Sequence, residues 1–286
     1  MSINWYPGHM KKTKETISDN LKIVDLVIEV LDARIPVSSK NPDILDIARN
    51  KKRLTILNKM DLADERDILH WKNYLISNNI SDYVIAISAE NGKNLNEIKK
   101  IIDEIYKIKL EKVKKRGLRK TEVRAMIVGI PNVGKSKLIN KLARKTKARV
   151  GDKPGFTKGK QWVKASETLE LLDTPGVLWP KFEDPKVGYS LAITGSIKDD
   201  ILPIEEVASV FIDRLRGLGK IDLLSKAYGL EENIAEKENF EIFNLLEKRL
   251  GVLKKEENDY NKVAKIILRD YRSGKIGKFC LETVSY

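Results

Sequence analysis

The chain has 286 residues, 42% of them hydrophobic, with 54 Lys and Arg against 41 Asp and Glu for a net charge of +13. That length accommodates one large domain plus a smaller one, and the apolar share excludes global disorder. A single cysteine, Cys280, excludes an internal disulfide; no apolar run reaches membrane-spanning length and residues 1–10 lack a signal-peptide core, so a soluble, cytosolic protein is expected.

The excess charge is local. Residues 107–124 carry a net +7 and residues 141–164 a net +8, which leaves −2 for everything else. The two runs flank residues 129–136 in sequence, so an extended polyanion close to that segment is expected. The plainer reading is a set of solvated Lys-rich helix faces.

In chain order, Asn4-Trp5-Tyr6-Pro7-Gly8-His9-Met10 is an aromatic turn, and residues 11–23 read as a helix of mixed charge. Residues 25–31 form the first buried strand, with Asp32-Ala33-Arg34-Ile35-Pro36 as the loop at its C-terminal end. A second strand, 54–57, runs into Asn58-Lys59-Met60-Asp61, an N-K-x-D tetrapeptide. Asp61 is an acceptor-only group with two oxygens, so it can take the ring N–H and exocyclic amine of guanine together, whereas adenine offers no such donor pair. Asn58 and Lys59 would hold the loop and flank the base. A helix is predicted over 65–77, in which His70 reads as a surface or packing residue. A strand at 83–87 then ends in Ser88-Ala89-Glu90, small residues suited to supporting a base edge. Asn94 caps a helix with Leu95, Ile98, Ile101, Ile102 and Ile105 on one face.

Residues 123–128 are β-branched and apolar, as a buried strand would be, and lead into Gly129-Ile130-Pro131-Asn132-Val133-Gly134-Lys135-Ser136. This matches G-x-x-x-x-G-K-[ST] without a mismatch, and the next residues place Leu138, Ile139 and Leu142 on one helical face. Backbone N–H groups of Val133 and Gly134 can cradle phosphate, Lys135 can reach the outer phosphates, and Ser136 can bind Mg²⁺. Residues 151–157 are a polar glycine-proline loop from which Thr157 can complete a Mg²⁺ shell. Strands at 161–164 and 169–172 lead to Asp173-Thr174-Pro175-Gly176, a D-x-x-G pattern that puts Asp173 toward Mg²⁺ and the Gly176 N–H toward a γ-phosphate.

These motifs are those of GTPases, but N-K-x-D and S-A-x precede the phosphate loop instead of following it. The chain thus resembles the circularly permuted GTPases. Within them, Trp5 to Met10, Asp32 to Pro36, Gly129 to Ser136 and Asp173-Thr174-Pro175-Gly176-Val177-Leu178-Trp179-Pro180 resemble the bacterial ribosome biogenesis GTPase A family. The resemblance implies an α/β fold: a permuted P-loop GTPase domain with a mostly parallel sheet and helices on both faces, followed by a small all-α C-terminal domain. It implies GTP/GDP and Mg²⁺ as ligands, a large (50S) ribosomal subunit precursor and its rRNA as partners, and binding of rRNA through the C-terminal domain. Lys262, Lys265, Arg269, Arg272, Lys275 and Lys278 agree with the last. It also implies a role for His9 in activated hydrolysis, although a His beside Trp5 and Tyr6 equally suits a packing or RNA contact, and potassium binding at Asn132.

The expected organisation is an N-terminal segment at 1–24, a GTPase domain at 25–197 and a helical RNA-binding domain at 198–286, with helices at 203–216, 221–228, 240–250 and 261–271. In this order the second switch leads directly into the C-terminal region. Val177 stands where Ras-like enzymes place a water-orienting Gln, so intrinsic hydrolysis is expected to be slow. Lys137 departs from the Ser or Thr usual after the Lys-Ser pair, which leaves one phosphate contact open, and Lys137 is counted with the nucleotide-binding residues. Three readings stay open: an assembly GTPase, an RNA-binding module with nucleotide as a slow conformational ligand, and an ATPase.

Overall fold

The largely aliphatic segment Leu26–Asp32 is buried along its whole length, Glu29 and Asp32 included, as a central parallel strand is. The computed structural model describes residues 19–42, 48, 50–117, 121–143, 161–174, 184–252 and 259–284. Its strands are β1 (Leu26–Asp32), β2 (Lys52–Asn58), β3 (Tyr83–Ala86), β4 (Val123–Val128), β5 (Gln161–Lys164) and β6 (Leu169–Asp173). They form one sheet in the order β3-β2-β1-β4-β6-β5, parallel except for β5 at the edge. The chain builds outward from β1 to β3, returns to the centre at β4, and builds outward the other way. The strand order therefore reverses between β1 and β4, where open parallel sheets bind ligands beyond their carboxyl ends.

Helix α1 (Glu65–Ser77) starts at Asp64, whose side chain accepts from the Arg66 N–H. It lays Ile68, Trp71 and Leu75 against Leu31, Leu57, Val84 and Ala86. Leu21 and Val24 cover Val27, Met126 and Leu172 on the same side of the sheet. On the opposite face, Leu26, Ile28 and Val30 meet Ile98, Ile102 and Ile105 of α2 (Leu95–Lys114) and Leu138 and Ile139 of α3 (Lys135–Leu142). Full burial of each such side chain contributes about 1.5–3 kcal/mol.

The remaining helices are α4 (Pro185–Ile193), α5 (Ile204–Gly217), α6 (Asp222–Tyr228), α7 (Asn239–Leu250) and α8 (Tyr260–Arg272). Helix α8 packs on α5 and α7, and α4 packs on α5. Their apolar sides belong to the same continuous core as the α2 and α3 face, through Leu191, Phe211, Tyr271 and Phe279. The fold is thus α/β, with a mostly parallel sheet covered on both faces, followed by an all-α region, as the sequence indicates.

The first basic run falls elsewhere than its sequence neighbourhood suggests. Lys109, near the end of α2, reaches Asp25 just before β1 (2.7 Å) and the Glu122 carbonyl just before β4 (2.7 Å). Strand β4 then separates that end from the loop at 129–136 by about 20 Å at ~3.3 Å per residue. The described part of the 107–124 run therefore occupies the opposite pole of the sheet from that loop. Adjacency in sequence became separation in space because an extended strand lies between.

Glu29 sits in the middle of β1 on an otherwise apolar face. Burial pushes its carboxyl up from 4.5 to about 7, against the pull of Lys40 and Arg53. Between those values the folded chain holds the proton more firmly than the unfolded one, so stability falls as pH rises from about 4.5 to about 7. Relative to the parent chain, Glu29→Gln is expected to gain stability by about 2 kcal/mol between pH 5 and pH 8, roughly 5 °C in Tm. Thermal melts of both proteins at the two pH values check this, and an equal Tm difference at both would refute it.

Candidate functional site

The C-terminal ends of the parallel strands bring the motifs to one edge. Gly129–Ser136 follows β4, Asn58–Asp61 closes β2, Ser88 and Ala89 lie just beyond β3, and Asp173 ends β6. Gly134 has φ +96°, and a Cβ there would stand 2.4 Å from the Asn58 Nδ2. That close approach explains the glycine, because it lets Asn58 donate to the Val133 carbonyl at 2.6 Å. The other end of the same carboxamide accepts from the Ala89 N–H at 2.9 Å. Asn58 is buried, so it joins three loops that are far apart in sequence with two hydrogen bonds shielded from water.

Lys135 is buried at the start of α3, where its ammonium donates to the Gly129 and Ile130 carbonyls at 2.9 and 2.8 Å. Burial pushes its pKa down to about 8, while the Asp173 carboxylate pulls the other way. Asp173 is itself pushed up by burial, with Lys135 opposing. Its Oδ1 is buried and has no hydrogen-bond partner among the described residues. Thr174 donates to the Ile127 carbonyl at 2.6 Å and fixes the exit from β6. An uncompensated carboxylate oxygen beside a phosphate-type loop suits a divalent cation, which takes oxygen donors.

In the N-K-x-D turn, Lys59 adopts a left-handed conformation (φ +62°) and its ammonium pairs with Asp32 at 2.9 Å. Met60 is buried against α1, and its N–H donates to the Ile87 carbonyl at 3.1 Å. Asp61 carries a buried Oδ1 that has no hydrogen-bond partner among the described residues. Ser88 is fully buried; its N–H donates to the Lys93 carbonyl and its hydroxyl accepts from the Asn91 N–H, which shapes the loop that carries Ala89. Lys137 turns away from the phosphate loop and pairs with Glu90, next to Ala89. Its ammonium thus ties α3 to the segment after β3.

Asn132 (φ +60°) points its amide nitrogen at the Gly195 carbonyl, 2.7 Å away. Gly195 follows α4 and lies against Arg272 of α8. Arg272 in turn donates to the Ala192 and Ile193 carbonyls and forks onto Asp199 at 2.8 Å through both terminal nitrogens. The phosphate loop is therefore hydrogen-bonded to the end of α4, and α4 to the helical region. Sequence reading did not anticipate α4 or this joint. Asp184 as N-cap followed by Pro185 at the first helical position was the available signal. His9, Thr157, Gly176 and Val177 lie outside the described residues.

Asp61 with the Ser88–Ala89 loop, suited to a base, and Asp173 with the Gly129–Ser136 loop, suited to phosphates and a cation, thus lie at the same edge of the sheet, where Asn58 joins the loops. A family model described as a 50S ribosome-binding GTPase matches residues 124–248. The ribosome biogenesis GTPase A of Bacillus licheniformis is 45% identical, over 99% of this chain and 98% of its own. That of Priestia megaterium is 45% identical, over 100% and 98%. The GDP-bound structure of YlqF from T. maritima shares the fold, with a TM-score of 0.64 at 24% identity over 94% of this chain and 98% of that one. With such relatives matched from end to end, the chain belongs to the ribosome biogenesis GTPase A family and is a GTPase.

Proposed function

We propose that the chain is a GTP-hydrolysing assembly factor for the large (50S) ribosomal subunit, docked on rRNA in its GTP state and released by hydrolysis. The observation that carries this is the joining of the base-side and phosphate-side loops through Asn58, at an edge also bonded to the helical region through Asn132 and Arg272. The names of the relatives and the net charge of +13 support a ribosomal setting. The proposed organisation is a segment at 1–24, a permuted GTPase domain at 25–197 and a helical rRNA-binding domain at 198–286. No described helix is long and apolar enough to cross a membrane; action in the cytoplasm belongs to the proposal.

In this reading Asp61 accepts two hydrogen bonds from guanine, supported by its uncommitted Oδ1, while Lys59, Met60, Ser88 and Ala89 frame the base. Asn132, Val133, Gly134, Lys135, Ser136 and Lys137 line the phosphates, although the Lys137 charge is shared with Glu90. Ser136, Asp173 and Thr157 would hold Mg²⁺, which supplies positive charge where phosphate charge builds. Lys135 moves from the Gly129 and Ile130 carbonyls to the phosphates, exchanging two neutral acceptors for charged ones. Gly176 offers its N–H to the γ-phosphate. Asn132 is the residue assigned to potassium, and with its amide nitrogen on Gly195 its oxygen would have to be the ligand. Val177 has no side-chain group to orient water, and the resemblance to the family assigns activated hydrolysis to His9.

GTP turnover measured alone and with large-subunit precursors, in potassium and in sodium buffers, tests this. We expect slow basal turnover, stimulation of at least tenfold by the precursor in potassium, and loss of that stimulation in His9→Ala. No stimulation by any ribosomal particle would instead favour the RNA-binding module with incidental hydrolysis, the reading that Val177 supports.

A further inference from the structure

The Asp32-Ala33-Arg34-Ile35-Pro36 segment enters the site described above only through the Lys59–Asp32 pair, yet it carries a buried ionic relay. Asp32 is fully buried and gripped by Arg34 through Nε (2.9 Å), Nη2 (2.7 Å) and the backbone N–H (3.0 Å). The second ion on Asp32 is the Lys59 ammonium, at 2.9 Å. Arg34 is 1% exposed, and its guanidinium lies 5.2 Å from the centre of the Tyr271 ring on α8. Tyr271 is held by Phe211 and Phe279 at 4.8 and 5.1 Å, and the Leu281 N–H donates to the Arg34 carbonyl at 2.8 Å. On the other side of the N-K-x-D turn, Leu62 comes so near Gly274 that a Cβ there would stand 2.9 Å from its Cδ2. The Trp71 indole N–H, on the helix after the turn, donates to the Glu282 carbonyl at 3.1 Å.

Asp61 is therefore carried on a turn gripped from both sides by the C-terminal region: through Lys59, Asp32, Arg34 and Tyr271 on one side, and through Leu62 and Gly274 on the other. Charge points the same way. One carboxylate, Asp32, faces two cations, so the relay carries one positive charge in excess beside the turn that holds Asp61. A buried fork of this kind is costly to break once formed, because it leaves uncompensated charge behind. We propose that Asp32 and Arg34 are positioning residues for guanine recognition, and that docking of the C-terminal helical region through Tyr271 sets how well Asp61 reads the base. This rests on the assignment of Asp61 to guanine. Whatever displaces α8 from Arg34 then weakens guanine nucleotide binding, and by reciprocity bound guanine nucleotide opposes that displacement by the same factor.

The test compares equilibrium binding of GDP and IDP to the full chain, since the inosine base lacks only the exocyclic amine that Asp61 accepts from. The readout is the ratio of the two dissociation constants, which a general loss of stability would not alter. Arg34→Leu is expected to weaken GDP at least tenfold while IDP weakens less, so that the ratio drops toward one. Tyr271→Leu should lower the ratio in the same direction, and Arg34→Lys, which keeps the charge without the fork, should fall between. Should the leucine variants fail to fold, Arg34→Lys decides alone: an unchanged ratio overturns the proposal. Asp61→Asn serves as the reference. If Asp61→Asn collapses the ratio and the Arg34 variants leave it unchanged, the relay is structural only and the proposal fails. If Asp61→Asn leaves the ratio unchanged, the assignment of Asp61 itself fails.

Discussion

Asp61→Asn is expected to weaken GTP and GDP binding by about 10²–10⁴-fold, because two charge-assisted hydrogen bonds to guanine are exchanged for one neutral bond and a clash of donors. The same variant should gain affinity for xanthine nucleotides, whose ring N–H and neighbouring carbonyl match the oxygen and nitrogen of an asparagine amide. The structure motivates this through the Asp61 Oδ1, buried at the site edge with no hydrogen-bond partner among the described residues. The exchange should leave the fold alone, since Lys59, Asn58 and Met60 hold the turn by bonds of their own. Competition binding against labelled GDP with GTP, XTP and ATP measures it. Equal affinities for GTP before and after the substitution would mean that the base is read elsewhere.

Gly134→Ala should be as damaging by a different route. At φ +96° an L residue is strained, at roughly 1–3 kcal/mol, and the new methyl group would stand 2.4 Å from the Asn58 Nδ2. Asn58 must then release the Val133 carbonyl, leaving that buried acceptor and its own amide unsatisfied at about 1–3 kcal/mol each. Both halves of the site lose their common brace, so GDP affinity should drop by more than about 10²-fold. A control is available in Gly219→Ala, where φ is +62° but no atom lies within 4 Å of the added Cβ. It should carry the strain alone and bind GDP as the parent does. Titration calorimetry of the two variants separates steric disruption of the brace from backbone strain, and comparable losses in both would contradict the role given to Asn58.

What the sequence made legible is the chemistry written in short, contiguous strings. Val123–Val128, Gln161–Lys164 and Glu65–Ser77 have the predicted bounds, because a largely apolar run, a polar–apolar alternation and a capped amphipathic period leave little choice of structure. The motif loops sit at strand ends for the same reason. Helix α4 escaped notice because it is enclosed by other elements: Gly188, Ser190, Leu191, Ala192 and Ile193 are all buried, so no polar face marks a helical period. The Asp32 relay was equally hidden, since its cations come from residues 34 and 59 and its aromatic cover from residue 271. Long-range side-chain pairing of that kind leaves no local pattern. Lys137 is the converse case. Its departure from the usual hydroxyl residue was visible, but its partnership with Glu90 required the fold.

The Asn58 brace also has a consequence for the growing chain. Its acceptor, the Val133 carbonyl, is synthesised 75 residues after the amide that binds it. At ~5–20 residues per second, Asn58 waits about 4–15 s before the Val133 carbonyl is made. The order of motifs along the chain thus acts as a timer: the brace between the two loops cannot close until the middle of the chain has left the ribosome that is making it.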